Sequence, residues 1–348
     1  MKITLNHKEI ELSPNVKLDY LLKGNNDNWW KAIFNFLELW SNESPGIEIK
    51  TSGSTGTPKQ MLIEKSKMWI SATKTCEFFE LNEKSTGLLC LSALYIAGQM
   101  MLVRAMVSGM NLICIEPSGN PVTEINNNID FAAMVPMQVQ QACDNDNNLN
   151  LIKNLIIGGG QVPLSLIKKL SIYKGKAYET FGMTETLSHI ALKQLTPTKQ
   201  NHFIPLPGIS INCGYKNELI IDYPELGIYK MKTSDVIELQ NNSGAFIWKG
   251  RTDFVINSGG VKISPEEVEQ EIEQLITQRF CIIGLADEKL GEKVVLVIEG
   301  KSFDTEKLQT KIKETLYTYY VPKEILFINK FPITESGKIK RKKIIHYL

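Results

Sequence analysis

Apolar and polar positions along this chain follow two periods in turn. Between about residues 48 and 222, short apolar runs with strand character give way to stretches with helical spacing. Residues 87–92 read as a strand, 97–108 as a helix and 111–115 as a strand. Residues 131–135 then read as a strand, 137–143 as a helix, 155–157 as a strand and 164–170 as a helix. Strands interleaved with helices predict a large α/β layered domain. From 217 to 249 the pattern shifts to short strands with turn chemistry. Asn241, Asn242, Ser243 and Gly244 mark the clearest hairpin. Beyond Arg251 a second unit begins. A helix over 265–275 opens on a proline and two glutamates, as helix N-termini favour. Strands at 280–285 and 294–299, a helix at 304–317 and a strand at 324–329 complete a small α+β domain. Ahead of all this, Trp29, Trp30, Phe34, Phe36, Leu37 and Trp40 fit one packing helix.

Composition narrows the function classes. At 348 residues and 43% apolar, the chain is long enough for two or three cored domains. A net charge of +1 gives no global signature for nucleic acid or an anionic membrane surface. No uninterrupted apolar run approaches a membrane span, and the first residues carry no signal-peptide pattern, so a cytoplasmic location is expected. The six cysteines include no Cys-x-x-Cys pair and several lie in apolar runs, which predicts free, buried thiols.

Five segments carry candidate chemistry. Thr51, Ser52, Gly53, Ser54, Thr55, Gly56, Thr57, Pro58 and Lys59 combine glycines that admit an anion, hydroxyls that donate to phosphate, and a cation. The string lacks the ending of a Walker A loop, and the plainer alternative, taken alone, is a polar surface turn. Tyr178 to Thr186 supplies an aromatic, a glycine turn, hydroxyls and Glu185, a set suited to a base, a phosphate and magnesium; alone it reads equally as a strand followed by a turn. Asp235 closes the string Lys232-Thr233-Ser234-Asp235, where a carboxylate at a strand edge suits two ribose hydroxyls; alone the signal is weak, since most aspartates at strand ends are simply solvated. The fourth segment runs from Lys249 to Glu267, and the fifth from Phe331 to Arg341, a basic tail by composition.

In this order the five segments resemble the adenylate-forming acyl-CoA ligase superfamily, from about residue 48 onward. That resemblance implies an N-terminal ATP- and acyl-binding domain over 1–250, with mixed sheets and a small barrel-like β part. Residues 1–46 would be a reduced flank. A hinge at 251–253 and a small mobile C-terminal domain over 254–348 would follow. It also implies roles. Thr51, Ser52, Gly53, Ser54, Thr55, Gly56 and Lys59 would hold the ATP phosphates, and Phe181, Gly159 and Gly160 the adenine. Thr184 would meet the α-phosphate, Glu185 would ligate Mg2+, and Asp235 with Arg251 would hold the ribose. Asp253 would be the pivot, Lys338 the catalytic lysine, and Gly259, Gly260 and Lys262 the passage for coenzyme A. The partners implied are ATP, Mg2+, CoA and a carboxylic acid, with no nucleic acid.

Within that superfamily the strings 156–163, 181–189 and 94–99 look most like the o-succinylbenzoate–CoA ligases of menaquinone biosynthesis. Tyr95, Gln99, Arg104, Ser188 and His189 would then face the acyl group. Arg104 would pair with the carboxylate that the acid retains; the plain alternative is an arginine snorkelling from an apolar helix. His189 reads equally as a structural hydrogen-bonder. Two departures stand out: Tyr95 falls where that branch usually has a histidine, and the flank before the phosphate loop is short, leaving a face open to a homodimer. Other acyl- or aryl-CoA ligases, carrier-loading enzymes and a silent nucleotide-binding relative are the alternatives.

Overall fold

A computed structural model describes residues 1–13, 27–50, 60–145, 148–240, 243–333 and 339–348. Its contacts group into two compact units. The first comprises residues 1–162, 166–209 and 223–228; the second comprises 163–165, 210–222 and 229–348.

The first unit is built, in chain order, from β1 (Lys2–Leu5), β2 (Lys8–Glu11), α1 (Asn28–Ser41), β3 (Gly46–Lys50), β4 (Gln60–Glu64), α2 (Lys65–Phe78), β5 (Thr86–Leu89), α3 (Ile96–Ser108), β6 (Asn111–Cys114), β7 (Ile129–Met134), α4 (Pro136–Asn145), β8 (Ile152–Ile157), α5 (Leu164–Lys169), β9 (Lys176–Gly182), β10 (His189–Thr196) and β11 (Ile204–Pro205). Nine strands form one sheet in the order β11-β10-β9-β8-β7-β5-β6-β1-β2. The run from β1 through β6, β5, β7 and β8 to β9 is parallel, with β2, β10 and β11 added antiparallel. Strands in the middle of a parallel sheet are covered on both faces, which is why β7 (IDFAAM) and β8 (IKNLII) are almost continuously buried.

The tight β1–β2 link has Asn6 and His7 both at positive φ, 47° and 63°, the geometry a two-residue hairpin loop demands. The Asn6 side chain then accepts from the Cys114 N–H at 2.7 Å, which ties the hairpin to β6. Helix α1 buries Ala32, Ile33, Phe34, Phe36, Leu37 and Trp40, as its sequence predicts. Helix α3 is buried all round from Gly98 to Met106, so it is a core element. A Cβ on Gly98 would run into the backbone of Ser92 and Ala93, so only glycine lets the helix start this close to the end of β5. Gly109, at φ +73°, ends it in the left-handed conformation. All six cysteines are unpaired thiols, four of them buried.

The second unit opens with β12 (Ser210–Cys213), β13 (Glu218–Tyr223), β14 (Ile228–Gln240) and β15 (Ala245–Arg251), a four-stranded sheet in that order. The small β part expected to be barrel-like is thus an open sheet, since four strands are too few to close. Asn241 and Asn242 of the expected hairpin lie outside the described residues; β14 and β15 on either side pair antiparallel. Then come β16 (Ile256–Ser258), β17 (Val261–Ile263), α6 (Pro265–Ile272), β18 (Phe280–Asp287), β19 (Gly291–Glu299), α7 (Glu306–Thr315), β20 (Glu324–Ile328) and α8 (Arg341–Ile344). Their sheet runs β17-β16-β19-β18, with β20 parallel to β19. Ile256, Ile263, Val268, Ile272, Leu296 and Ile312 make its core. The expected hinge at 251–253 falls inside this unit. Helix α6 packs on β15: Ser264 Oγ donates to the Lys249 carbonyl at 2.7 Å, and a Cβ on Gly250 would collide with Ser264 and Glu266.

Candidate functional site

In the first unit the predicted residues gather at the ends of β8, β9 and β10. The chain leaves β8 through Gly158, Gly159 and Gly160. The Gly158 N–H donates to the Met134 carbonyl at 3.0 Å, and a Cβ there would strike Thr180 Oγ1. Gly159 turns at φ +82°, a conformation glycine adopts without strain. Three residues on, the Val162 N–H donates to Glu179 Oε1 at 2.9 Å, so the loop is tied to β9.

Phe181, half-buried in β9, stands edge-to-face with Phe203 at 5.6 Å. A single turn, Thr184–Thr186, then reverses the chain into β10. Thr186 Oγ1 accepts the Met183 N–H at 3.0 Å and lies 2.9 Å from the Ser188 carbonyl. Leu187 is held at φ +65°, a strain of about 1–3 kcal/mol for a residue with a side chain. This turn presents Thr184 half-buried and Glu185 exposed. A lone exposed carboxylate beside hydroxyls fits Mg2+, which takes one or two protein oxygens and leaves its other positions to phosphate and water. Among the described residues no group of three acidic, histidine or cysteine side chains forms a closed metal cage.

Beneath the turn lies a buried polar chain. Arg104 does not snorkel; it is 2% exposed and its Nη2 donates to Ser188 Oγ at 2.6 Å. Its Nη1 reaches Met101 Sδ at 3.5 Å and the guanidinium lies 5.9 Å from the centre of the Phe131 ring. Among the described residues Nε has no partner. Burial pushes the group down to about 10, which still leaves it cationic at neutral pH. Ser188 Oγ also contacts His189 Nδ1 at 3.3 Å, and His189 Nε2 contacts Thr75 Oγ1 at 3.4 Å. Thr75 Oγ1 donates onward to the Ser71 carbonyl at 3.4 Å. With its own proton given to the Ser71 carbonyl, Thr75 Oγ1 accepts from His189 Nε2–H; this assigns the hydrogen to Nε2 and leaves Nδ1 to accept from Ser188 Oγ. Every donor in the chain points away from Arg104, a directed relay that holds Ser188 as an acceptor for the cation. Gln99, on the same helix, is buried with its Oε1 unpartnered among the described residues, and Tyr95 is half-exposed at the start of α3.

His189 is held well below the ordinary imidazole range by burial and by the Arg104 charge. It is therefore neutral when folded, while the unfolded chain protonates it below about pH 6.5. The stability this contributes is full above that pH and falls as pH drops toward the folded value, with a slope approaching about 1.4 kcal/mol per pH unit. Urea unfolding of wild type and His189→Asn between pH 7.5 and 5.5 should show a shallower loss in the variant.

In the second unit, Asp235 is buried and accepts from Trp248 Nε1 at 2.8 Å and Arg251 Nη1 at 3.3 Å. Arg251 Nη2 donates to Asp253 at 2.7 Å, and that pairing holds the Asp253 carboxyl below the usual carboxylate range. Each Asp235 oxygen keeps a lone pair for a further donor. Gly259 and Gly260, at φ +60° and +83°, form the β16–β17 turn, with Lys262 exposed beside it. Thr51, Ser52, Gly53, Ser54, Thr55, Gly56, Lys59 and Lys338 lie outside the described residues. Sequence reasoning missed Thr75, Glu179, Lys193 and Phe203; a carboxylate in mid-strand, between Tyr178 and Thr180, was the available signal for Glu179.

Residues 35–214 match the family described as AMP-binding enzyme, and residues 267–338 match the AMP-binding enzyme C-terminal domain. The chain belongs to the AMP-binding enzyme family. A solved structure of an acyl-CoA synthetase (AMP-forming)/AMP-acid ligase II-like protein from Dyadobacter fermentans is 34% identical, covers 92% of this chain and 95% of its own, and has a TM-score of 0.62. A 2-succinylbenzoate–CoA ligase from Listeria monocytogenes is 26% identical over 333 residues, 88% of this chain and 71% of that relative. A probable 2-succinylbenzoate–CoA ligase from Mycobacterium tuberculosis is 27% identical, over 87% of this chain and 85% of its own. The o-succinylbenzoate coenzyme A synthetase of Bacillus subtilis, solved with ATP and magnesium, shares the fold at 20% identity with a TM-score of 0.74, covering 90% and 74%. An AMP-forming acid–CoA ligase is thus the enzyme class, and no helix among the described residues is long and apolar enough to cross a membrane.

Proposed function

We propose that this AMP-binding enzyme joins o-succinylbenzoate to coenzyme A, in two half-reactions with AMP and pyrophosphate released. The observation that carries the acid is Arg104: a buried cation with no carboxylate partner among the described residues and one nitrogen unsatisfied. A buried charge without a counter-ion is costly to hold, so such a site suits a ligand that brings an anion. An acid with two carboxylates presents one to Arg104 and the other to the reacting centre. The 2-succinylbenzoate–CoA ligases among the relatives support the same reading.

In this reading an oxygen of the free carboxylate attacks the α-phosphorus, the bond to the β-phosphate oxygen breaks, and pyrophosphate leaves. Glu185 would hold Mg2+, which when bound would supply positive charge to the phosphates. Thr184 donates to the α-phosphate, Asp235 accepts from the ribose, and Lys338 stabilises charge that builds only in the transition state. In the second half-reaction the small residues of the Gly259–Gly260 turn would leave room for the pantetheine arm. The thiol sulfur attacks the mixed anhydride, loses its proton and expels AMP. A cytoplasmic location belongs to this reading, since both co-substrates are found there.

Purified protein incubated with MgATP, CoA and one of o-succinylbenzoate, benzoate or a medium-chain fatty acid tests it, with AMP and thioester followed by mass-resolved chromatography. Thioester from o-succinylbenzoate should form at least about tenfold faster than from the others, a gap of about 1.4 kcal/mol. A preference for either monoacid would discard the assigned acid and keep the chemistry. Absence of AMP with every acid would discard the enzyme reading.

A further inference from the structure

We infer that the buried Glu179–Lys193 ion pair, extended through Phe203, is a positioning device that sets both walls of the adenine slot at once. The inference rests on the reading that the Gly158–Gly160 loop and Phe181 are those walls. Glu179 and Phe181 are two apart in β9, so they project from the same face of the sheet. Lys193 lies directly across from Glu179 on β10, and Ala191 directly across from Phe181. The side chain of Glu179 is 5% exposed, and its two oxygens face in different directions. One accepts the Val162 N–H at 2.9 Å and so fixes the end of the glycine loop; the other meets Lys193 Nζ at 2.5 Å.

The lysine continues the chain. Its ammonium lies 4.8 Å from the centre of the Phe203 ring, within cation–π range. Phe203 in turn stands edge-to-face with Phe181, 5.6 Å between centres and 60° between planes. Phe203 is placed there by β11, which pairs with β10 immediately after it. Small Ala191 opposite Phe181 leaves the space that this ring occupies. One cation therefore does two things: it neutralises the carboxylate that holds the loop, and it seats the ring that holds Phe181. Removing it would leave Glu179 buried without its cation, an unpaired polar group that draws water in and loosens the Val162 tether. It would also free Phe203 to turn. None of these four side chains needs to touch the nucleotide except Phe181.

The test is equilibrium binding of MgATP and MgGTP to the full chain, read by titration calorimetry, for wild type, Lys193→Met, Lys193→Arg, Phe203→Leu and Phe181→Leu. Lys193→Met should weaken ATP binding about tenfold while leaving GTP binding within about twofold, so base discrimination falls. Lys193→Arg should recover most of the difference, because it restores the cation. Phe203→Leu keeps the ion pair and should lose part of the discrimination, which keeps the idea testable even if Lys193→Met fails to fold. A merely structural role would lower the fraction of competent protein without changing the ATP-to-GTP ratio. An unchanged ratio in Lys193→Met and Phe203→Leu, with Phe181→Leu impaired, would overturn the network alone. An unchanged ratio in Phe181→Leu would overturn the assignment of the walls.

Discussion

Replacing Arg104 with leucine should raise KM for o-succinylbenzoate by about a hundredfold or more while stability holds or rises. Losing one partner of a buried, hydrogen-bonded charge pair costs about 2–5 kcal/mol of binding, and about 2.8 kcal/mol corresponds to a hundredfold. In the variant the carboxylate that the acid retains would enter an apolar pocket with only Ser188 to meet it. Stability should move the other way. In the unliganded protein the guanidinium is 2% exposed and has no carboxylate partner among the described residues, so leucine removes a desolvation penalty. Steady-state kinetics and chemical denaturation on the same preparations give both numbers. Acids without a second carboxylate should be used no worse, so the preference over benzoate should narrow. Lysine at 104 should recover only part of the loss, since a point charge cannot reach Ser188 and an anion in the same fork geometry. Unchanged KM for o-succinylbenzoate in Arg104→Leu would remove the basis for the assigned acid.

The second large effect is on folding. Arg341→Met should destabilise the C-terminal unit by about 3–5 kcal/mol, the usual loss when one partner of a buried ion pair is deleted. Arg341 Nη2 donates to Glu269 at 2.6 Å and lies 3.7 Å from Glu266, while Nη1 donates to the Ile282 carbonyl at 2.6 Å. The guanidinium also lies 5.5 Å from the centre of the Phe254 ring. Burial pushes the Glu269 carboxyl up even with Arg341 beside it, so without the arginine it would be a stranded acid. The double variant Arg341→Met/Glu269→Leu should recover much of the loss, because replacing both partners by apolar groups is far milder than removing one. Denaturant midpoints of the single and double variants decide this; equal destabilisation in both would contradict it. Activity should fall as well. Ile333 bridges Ile339, and the Lys340 N–H donates to the Pro332 carbonyl at 2.8 Å. Arg341 anchors the chain directly after these contacts, three residues in sequence beyond Lys338, the lysine to which a catalytic role is proposed.

Local patterns made much of this fold legible. Helix α3 is a mostly apolar run of helical length, strands β5 to β8 are short apolar runs bounded by polar residues, and α6 announces itself by proline and glutamates at its start. What escaped was what depends on contacts distant in sequence. Helix α2 has apolar residues scattered around its circumference, so its sequence carries little period, and packing against α3 gives it its buried side of Met68, Ser71, Ala72, Thr75 and Cys76. The β1–β2 hairpin turns on Asn-His where Asn-Gly would have signalled it. At the site, Arg104, Ser188 and His189 were each named, but Thr75 was not, because nothing in a mid-helix threonine reveals a histidine 114 positions away. Glu179 and Lys193 make sense as a pair only once the β9–β10 register is known, and a bulge in that hairpin makes the register hard to count from sequence.

The nine-stranded sheet ends inside its own protomer. At one edge, β2 is four residues long, with Lys8, Glu9 and Glu11 exposed around a single buried Ile10; at the other, β11 is two residues long and ends on Pro205. A short, charged strand and a strand closed by a residue without an N–H are both poor templates for another chain. A parallel sheet of this width is slow to assemble and exposes strand edges while it does so. Blunt ends of this kind guard the folding intermediate against stacking into aggregates, a protection that works before any site has formed.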